Sequence, residues 1–155
     1  MQEIKPYKRK VHYYETDQMQ VVHHSNYIRW FEEARVEFME RAGLGYLEME
    51  KRGIICPVLE VNANYLRMVQ FGDTVIIDIK IKNYNGIKLT VGYQVKNSET
   101  EQIHCTGETK HCFLNKKNQP IFLKREHADF HQMFIEAAET VETPNKKGSG
   151  KPDEN

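Results

Sequence analysis

The chain has 155 residues, and its 22 lysines and arginines are matched by 22 aspartates and glutamates. This balance leaves no electrostatic footprint for nucleic acid or an anionic membrane surface, and no stretch is long and apolar enough to span a bilayer. The length suits one domain with one core, and three cysteines outside any C-x-x-C spacing (Cys56, Cys105, Cys112) fit a reducing, cytoplasmic setting.

The N-terminal MQEIKPYKRK carries basic residues with no apolar segment behind them, so no secretory leader is expected. Residues 7–14 are β-prone and predict a strand. After the Asp17 region, Ser25 or Asn26 is a candidate helix cap. Tyr27, Phe31, Ala34, Phe38 and Ala42 then recur at the helical period until Gly43, with Arg29, Glu32, Glu33, Arg35, Glu37 and Glu40 around the rest of the helix. Residues 47–53 predict a short second helix ending at Gly53.

From Pro57 the period changes to two. Leu59, Val61, Ala63 and Tyr65 share one strand face, as do Val75, Ile77, Ile79 and Ile81 on the next strand. Asn85-Gly86 predicts a type I′ hairpin, followed by Leu89, Val91, Tyr93 and Val95 on the returning strand. A last strand is expected over 103–114, and a weaker amphipathic helix over 126–138. Residues 1–140 thus form one domain, and the polar stretch 141–155 is expected to be a disordered tail. Strand, long helix, then a meander makes an α+β fold with the helix on one sheet face. Such a sheet leaves an edge open, which pairing of two copies would close.

His104-Cys105 and His111-Cys112 look like ligand pairs. Strand alternation, however, places His104 and Cys112 on one face and Cys105 and His111 on the other, and H-E-x-x-H is absent. No metal is expected. G-x-S-x-G and the glycine-rich nucleotide motifs are missing too, so a serine hydrolase and a nucleotide cofactor lack support. Asp17 reads in two ways: a turn residue ahead of a helix, or an acid facing the positive potential of a helix start, where an oxyanion is stabilised.

The run Tyr13-Tyr14-Glu15-Thr16-Asp17, followed by Val21-Val22-His23-His24-Ser25-Asn26-Tyr27 and Trp30-Phe31-Glu32-Glu33-Ala34-Arg35, resembles the acyl-CoA thioesterases of the 4-hydroxybenzoyl-CoA thioesterase-like hotdog group. The likeness continues through Tyr65 and Gly72-Asp73. It implies a hotdog fold, with a long central helix wrapped by a curved antiparallel sheet of about five strands. It also implies homodimers with a joined sheet, often paired into homotetramers, and hydrolysis of acyl-CoA to a free acid and CoA with no further cofactor. By the same resemblance, Asp17 is the nucleophile or the base for water. His24 is the motif histidine, Tyr13 a site tyrosine, and the backbone N–H at the helix start polarises the thioester carbonyl.

Two departures stand out. Gln20 occupies a position where the family usually has glycine, and is expected to alter the turn, narrow the acyl entrance or add a polar contact. Met68-Val69 stands where many relatives carry proline. The chemistry needs few groups, because a thiol with a pKa near ~8.5 leaves without a strong acid. The phosphates of CoA call for cations, and Arg67, Lys82, Lys88 and Lys110 are candidates. An acyl-carrier-protein thioesterase and a non-catalytic acyl-CoA binding module are the competing functions.

Overall fold

The structure, a computed structural model, describes residues 4–139. The expected tail over 141–155 lies outside the described residues. In chain order the elements are β1 (Tyr7–Lys10), a 3₁₀ turn (Tyr13–Glu15), α1 (Ser25–Arg41), α2 (Tyr46–Arg52), β2 (Val58–Tyr65), β3 (Thr74–Tyr84), β4 (Lys88–Asn97), β5 (Ile103–Cys112), α3 (Leu123–Glu126) and α4 (Ala128–Glu139). The strands form one antiparallel sheet in the order β1-β3-β4-β5-β2.

The core lies between α1 and the sheet. Val75, Ile77, Ile79 and Ile81 of β3 and Leu89, Val91, Tyr93 and Val95 of β4 are buried at alternate positions, as the period of two requires. Against them α1 sets Tyr27, Trp30, Phe31, Ala34 and Met39. The Phe31 ring stacks on Tyr93 at 4.4 Å between centroids. It also presses on Gly107 of β5, where an added Cβ would come within 2.5 Å of the ring. Glycine at 107 therefore sets how closely helix and sheet approach.

Several expectations are corrected. The strand foreseen over residues 7–14 ends at Lys10, because the chain folds back on itself: Glu15 N–H donates to the His12 carbonyl (3.0 Å) and His12 N–H donates to the Glu15 carboxylate (2.8 Å). Neither Ser25 nor Asn26 caps α1. The cap position is His24, without a side-chain cap bond; the Ser25 hydroxyl turns to His23 Nδ1 (2.8 Å) and the Asn26 amide donates to the Glu15 carbonyl (2.8 Å). Arg35, expected among the outer charges of the helix, is buried, donating to the hydroxyls of Tyr93 (3.0 Å) and Tyr46 (3.3 Å).

The β3–β4 connection is not type I′. Gly86 has a positive φ of 88° but Asn85 does not; the Asn85 side-chain oxygen accepts the N–H groups of Ile87 (3.0 Å) and Lys88 (2.8 Å) instead. A register shift opposite Val95/Lys96 leaves His104 as an extra residue in β5, and His104 and Cys105 are both buried; from Cys105 onward the alternation is regular, and Cys105 and His111 share the buried face as expected.

At the far end, α4 packs Phe130, Met133 and Phe134 into the core, and Arg52 ties α2 to α4 through two 2.7 Å bonds to the Asp129 carboxylate. The two sheet edges differ in character. β1 exposes Lys8 and Lys10, whereas β2 exposes Val58, Leu59, Val61 and Tyr65.

Candidate active site

Asp17 sits on a narrow loop that doubles back just before α1. A bridge pairs Thr16 with Val22, Asp17 N–H donates to the Val21 carbonyl (2.9 Å), and Gln20 N–H donates to the Asp17 carbonyl (3.0 Å). Closing so tight a loop requires a left-handed residue, and Gln20 supplies it at φ 62°. The glutamine thus takes the conformation that a glycine would adopt without strain, and the turn persists. One Asp17 oxygen, Oδ1, accepts the Met19 N–H (2.8 Å). Among the described residues Oδ2 has no hydrogen-bond partner.

A cavity of about 360 Å³ opens beside this loop. Asp17, Val21 and Val22 form one wall, His24 and Tyr27 at the start of α1 a second, and Tyr65, Leu66, Arg67 and Met68 at the end of β2 the third. The Tyr65 hydroxyl donates to the His24 carbonyl (3.1 Å), fixing the end of β2 to the helix start. The His24 ring leans on His23 (4.1 Å between centroids) and meets Tyr65 edge-on (6.3 Å). Burial pushes the Tyr27 phenol up to about 12, so it stays protonated in this wall. The lining joins apolar side chains with a few polar ones, as a small-molecule pocket requires.

Asp17 and His24 therefore line one cavity. Tyr13 is not part of its lining: it is 76% exposed and packs edge-on against Phe71 at 5.4 Å. Of the candidate cations, Arg67 lines the cavity. Lys82 pairs with Glu108 and Lys110 with Glu60, both away from Asp17. Sequence reasoning singled out Tyr65 and Arg67 but gave Leu66 and Met68 no role, since a loop leaving a strand carries no periodic signal.

Two larger depressions are also present. One, about 480 Å³, is on the outer sheet face among Asn62, Asn64, Gln94 and Thr106, and it holds the Lys82–Glu108 pair. No helix start faces it. The other, also about 480 Å³, shares Asp17 with the smaller cavity and is lined further by Glu15, His23, Ser25, Asn26 and Arg29.

An antiparallel sheet wrapped on one long helix is the hotdog fold of thioesterases. The chain belongs to the thioesterase-like superfamily, whose family model matches residues 11–145. It is 33% identical over 129 residues to the putative acyl-CoA thioesterase YneP of Bacillus subtilis, covering 83% of this chain and 93% of that protein. It is also 29% identical over 110 residues to the 1,4-dihydroxy-2-naphthoyl-CoA hydrolase of Prochlorococcus marinus, covering 64% of this chain and 73% of that one. Among solved structures, a DHNA-CoA thioesterase from Staphylococcus aureus superposes with a TM-score of 0.82 at 30% identity, over 90% of this chain and 95% of that one.

Proposed function

We propose that this chain hydrolyses acyl-CoA thioesters to a carboxylic acid and CoA at the Asp17 cavity. The observation that carries the reading is that Asp17 lines one partly apolar cavity with His24, the cap of α1, and Tyr27 of its first turn. The acyl group lies against Val21, Val22, Tyr27 and Met68, and its carbonyl oxygen is held by the backbone N–H at the start of α1. Two routes share this geometry. Asp17 takes a proton from water, whose oxygen bonds to the carbonyl carbon; collapse then breaks the C–S bond, and the thiolate recovers the proton. Alternatively, an Asp17 oxygen attacks, CoA leaves as thiolate, and water cleaves the resulting anhydride. His24 orients the substrate at the helix start, Tyr13 with Phe71 forms part of the rim, and Arg67 meets a CoA phosphate. The scheme requires no metal and no cofactor, CoA being part of the substrate.

The active form is a homodimer joined along β2, and two dimers make a tetramer. β2 presents unpaired backbone and apolar side chains, while the other edge is guarded by lysines, the usual device against edge pairing. Its three free thiols suit a reducing compartment such as the cytoplasm. Among the described residues no helix is long and apolar enough to cross a membrane.

A thiol-release screen over short, long and aromatic acyl-CoAs, run beside matched acyl-carrier-protein thioesters, tests the assignment. Turnover of acyl-CoA is expected. Saturable binding with no thiol release across the panel would make the chain a binding module instead.

A further inference from the structure

Glu15 stands two residues before Asp17, yet no step above uses it. It is 2% exposed. Its Oε1 accepts the His12 N–H (2.8 Å) and an Arg9 guanidinium N–H; its Oε2 accepts the Trp30 indole N–H (2.8 Å). Its backbone carbonyl accepts two more bonds, from the His23 N–H (2.8 Å) and the Asn26 side-chain amide (2.8 Å). One residue thereby fastens β1, the 3₁₀ turn, the approach to α1 and the first two turns of α1 to the strand of chain that carries Asp17.

The chemistry of these partners is one-sided, because every group meeting Glu15 is a donor. An ionised carboxylate offers acceptors on both oxygens, whereas a glutamine at 15 would point its NH₂ at Trp30, Arg9 or His12, donor against donor. Burial works against the charge. The bonds from Arg9, His12 and Trp30 outweigh it and hold the carboxyl below the ordinary carboxylate range. Arg9 has a second counter-charge, since its Nε lies 2.6 Å from Glu33. Loss of the Glu15 charge therefore does not strand a bare cation.

We infer that Glu15 is a positioning residue for the reaction: its carboxylate and carbonyl together fix the Asp17 loop against the N-terminus of α1, setting the distance between the acid and the oxyanion donors. This rests on the assignment of Asp17 to catalysis. Substrate contacts at Tyr65 to Met68 lie on another segment, while Val21, Val22, His24 and Tyr27 adjoin the fastened one, so the effect of loosening Glu15 falls more on turnover than on binding.

The test measures kcat and KM for thiol release in the full chain, at a temperature well below unfolding, for wild type, Glu15→Gln, Asn26→Ala, Ile81→Val and Asp17→Asn. Glu15→Gln should lower kcat by about 10- to 100-fold, the order expected when a reacting group shifts by an ångström, with KM changed by a much smaller factor. Asn26→Ala removes only the outer bond to the Glu15 carbonyl and should lower kcat by a smaller factor, again with less effect on KM. Ile81→Val, a core trim remote from the site, should lower the melting temperature and leave both constants alone. Glu15→Gln that is folded and turns over like wild type, beside an inactive Asp17→Asn, overturns the positioning role alone. Should Glu15→Gln not fold, wild-type kcat in Asn26→Ala overturns it. Full activity in Asp17→Asn overturns the catalytic assignment itself.

Discussion

Lowering the pH from 7 to 5 should weaken the fold through one buried imidazole. His111 is 1% exposed and sits at the end of a hydrogen-bond chain whose direction is fixed at both ends. Its Nδ1–H must donate to the Pro57 carbonyl (3.1 Å), which can only accept, so Nε2 is the lone pair that receives the Thr109 hydroxyl (2.7 Å). Thr109 in turn receives the Tyr93 hydroxyl (2.6 Å), and Tyr93 receives Arg35 (3.0 Å), which cannot accept. A proton on Nε2 would oppose this whole chain. Burial, with the Arg35 charge adding to it, brings the His111 pKa down from 6.5 to about 4. The unfolded chain therefore binds the proton first, and stability is full above the unfolded value and lost as pH falls from there toward the folded one. From pH 7 to pH 5 the loss from this residue is about 2 kcal/mol. Glu15, whose pKa is depressed, sheds its contribution only as pH falls below the ordinary carboxylate range, outside this window. Urea unfolding of wild type and His111→Gln at both pH values isolates the term: wild type should lose about 2 kcal/mol more than the variant. Equal losses in the two proteins, or an NMR titration placing folded His111 near 6.5, would refute the reasoning.

Other consequences follow from particular residues. Gly86→Ala forces a Cβ to within 2.2 Å of the Phe122 ring at a positive φ, and thermal melts should show a loss of about 2 kcal/mol or more. Gln20→Gly relieves a left-handed glutamine, and the same melts should show a gain of up to about 1 kcal/mol. Val61→Lys puts a charge on the apolar β2 edge; light scattering should report a smaller assembly than wild type, and an unchanged mass would argue against pairing along β2.

What the sequence made legible was what repeats or stays local. The period-two runs of β3 and β4 and the helical stripe of α1 name their own buried faces, because alternation and 3.6-fold recurrence survive without knowledge of the partner. Asp17 and His24 were legible through a motif that binds acid and helix start into one short segment. Arg35 was not: an arginine reads as solvent-facing until Tyr46 and Tyr93, far along the chain, supply its acceptors. Asn85 was misread for the opposite reason, since its side chain satisfies the hairpin donors and removes the need for a positive φ. The role of Glu15 was hidden too, because its partners Arg9 and Trp30 converge on it only once the chain folds back after β1. The third wall of the cavity comes from Leu66 to Met68, more than forty residues after His24, where no periodicity marks them.

The most direct measurement compares single-site turnover and acyl-CoA affinity in wild type and Asp17→Asn. Thiol release should fall by about 10²- to 10⁴-fold while binding of a non-hydrolysable acyl-CoA analogue and the assembly state stay as in wild type. Undiminished hydrolysis by the asparagine variant would contradict the central role of this carboxylate.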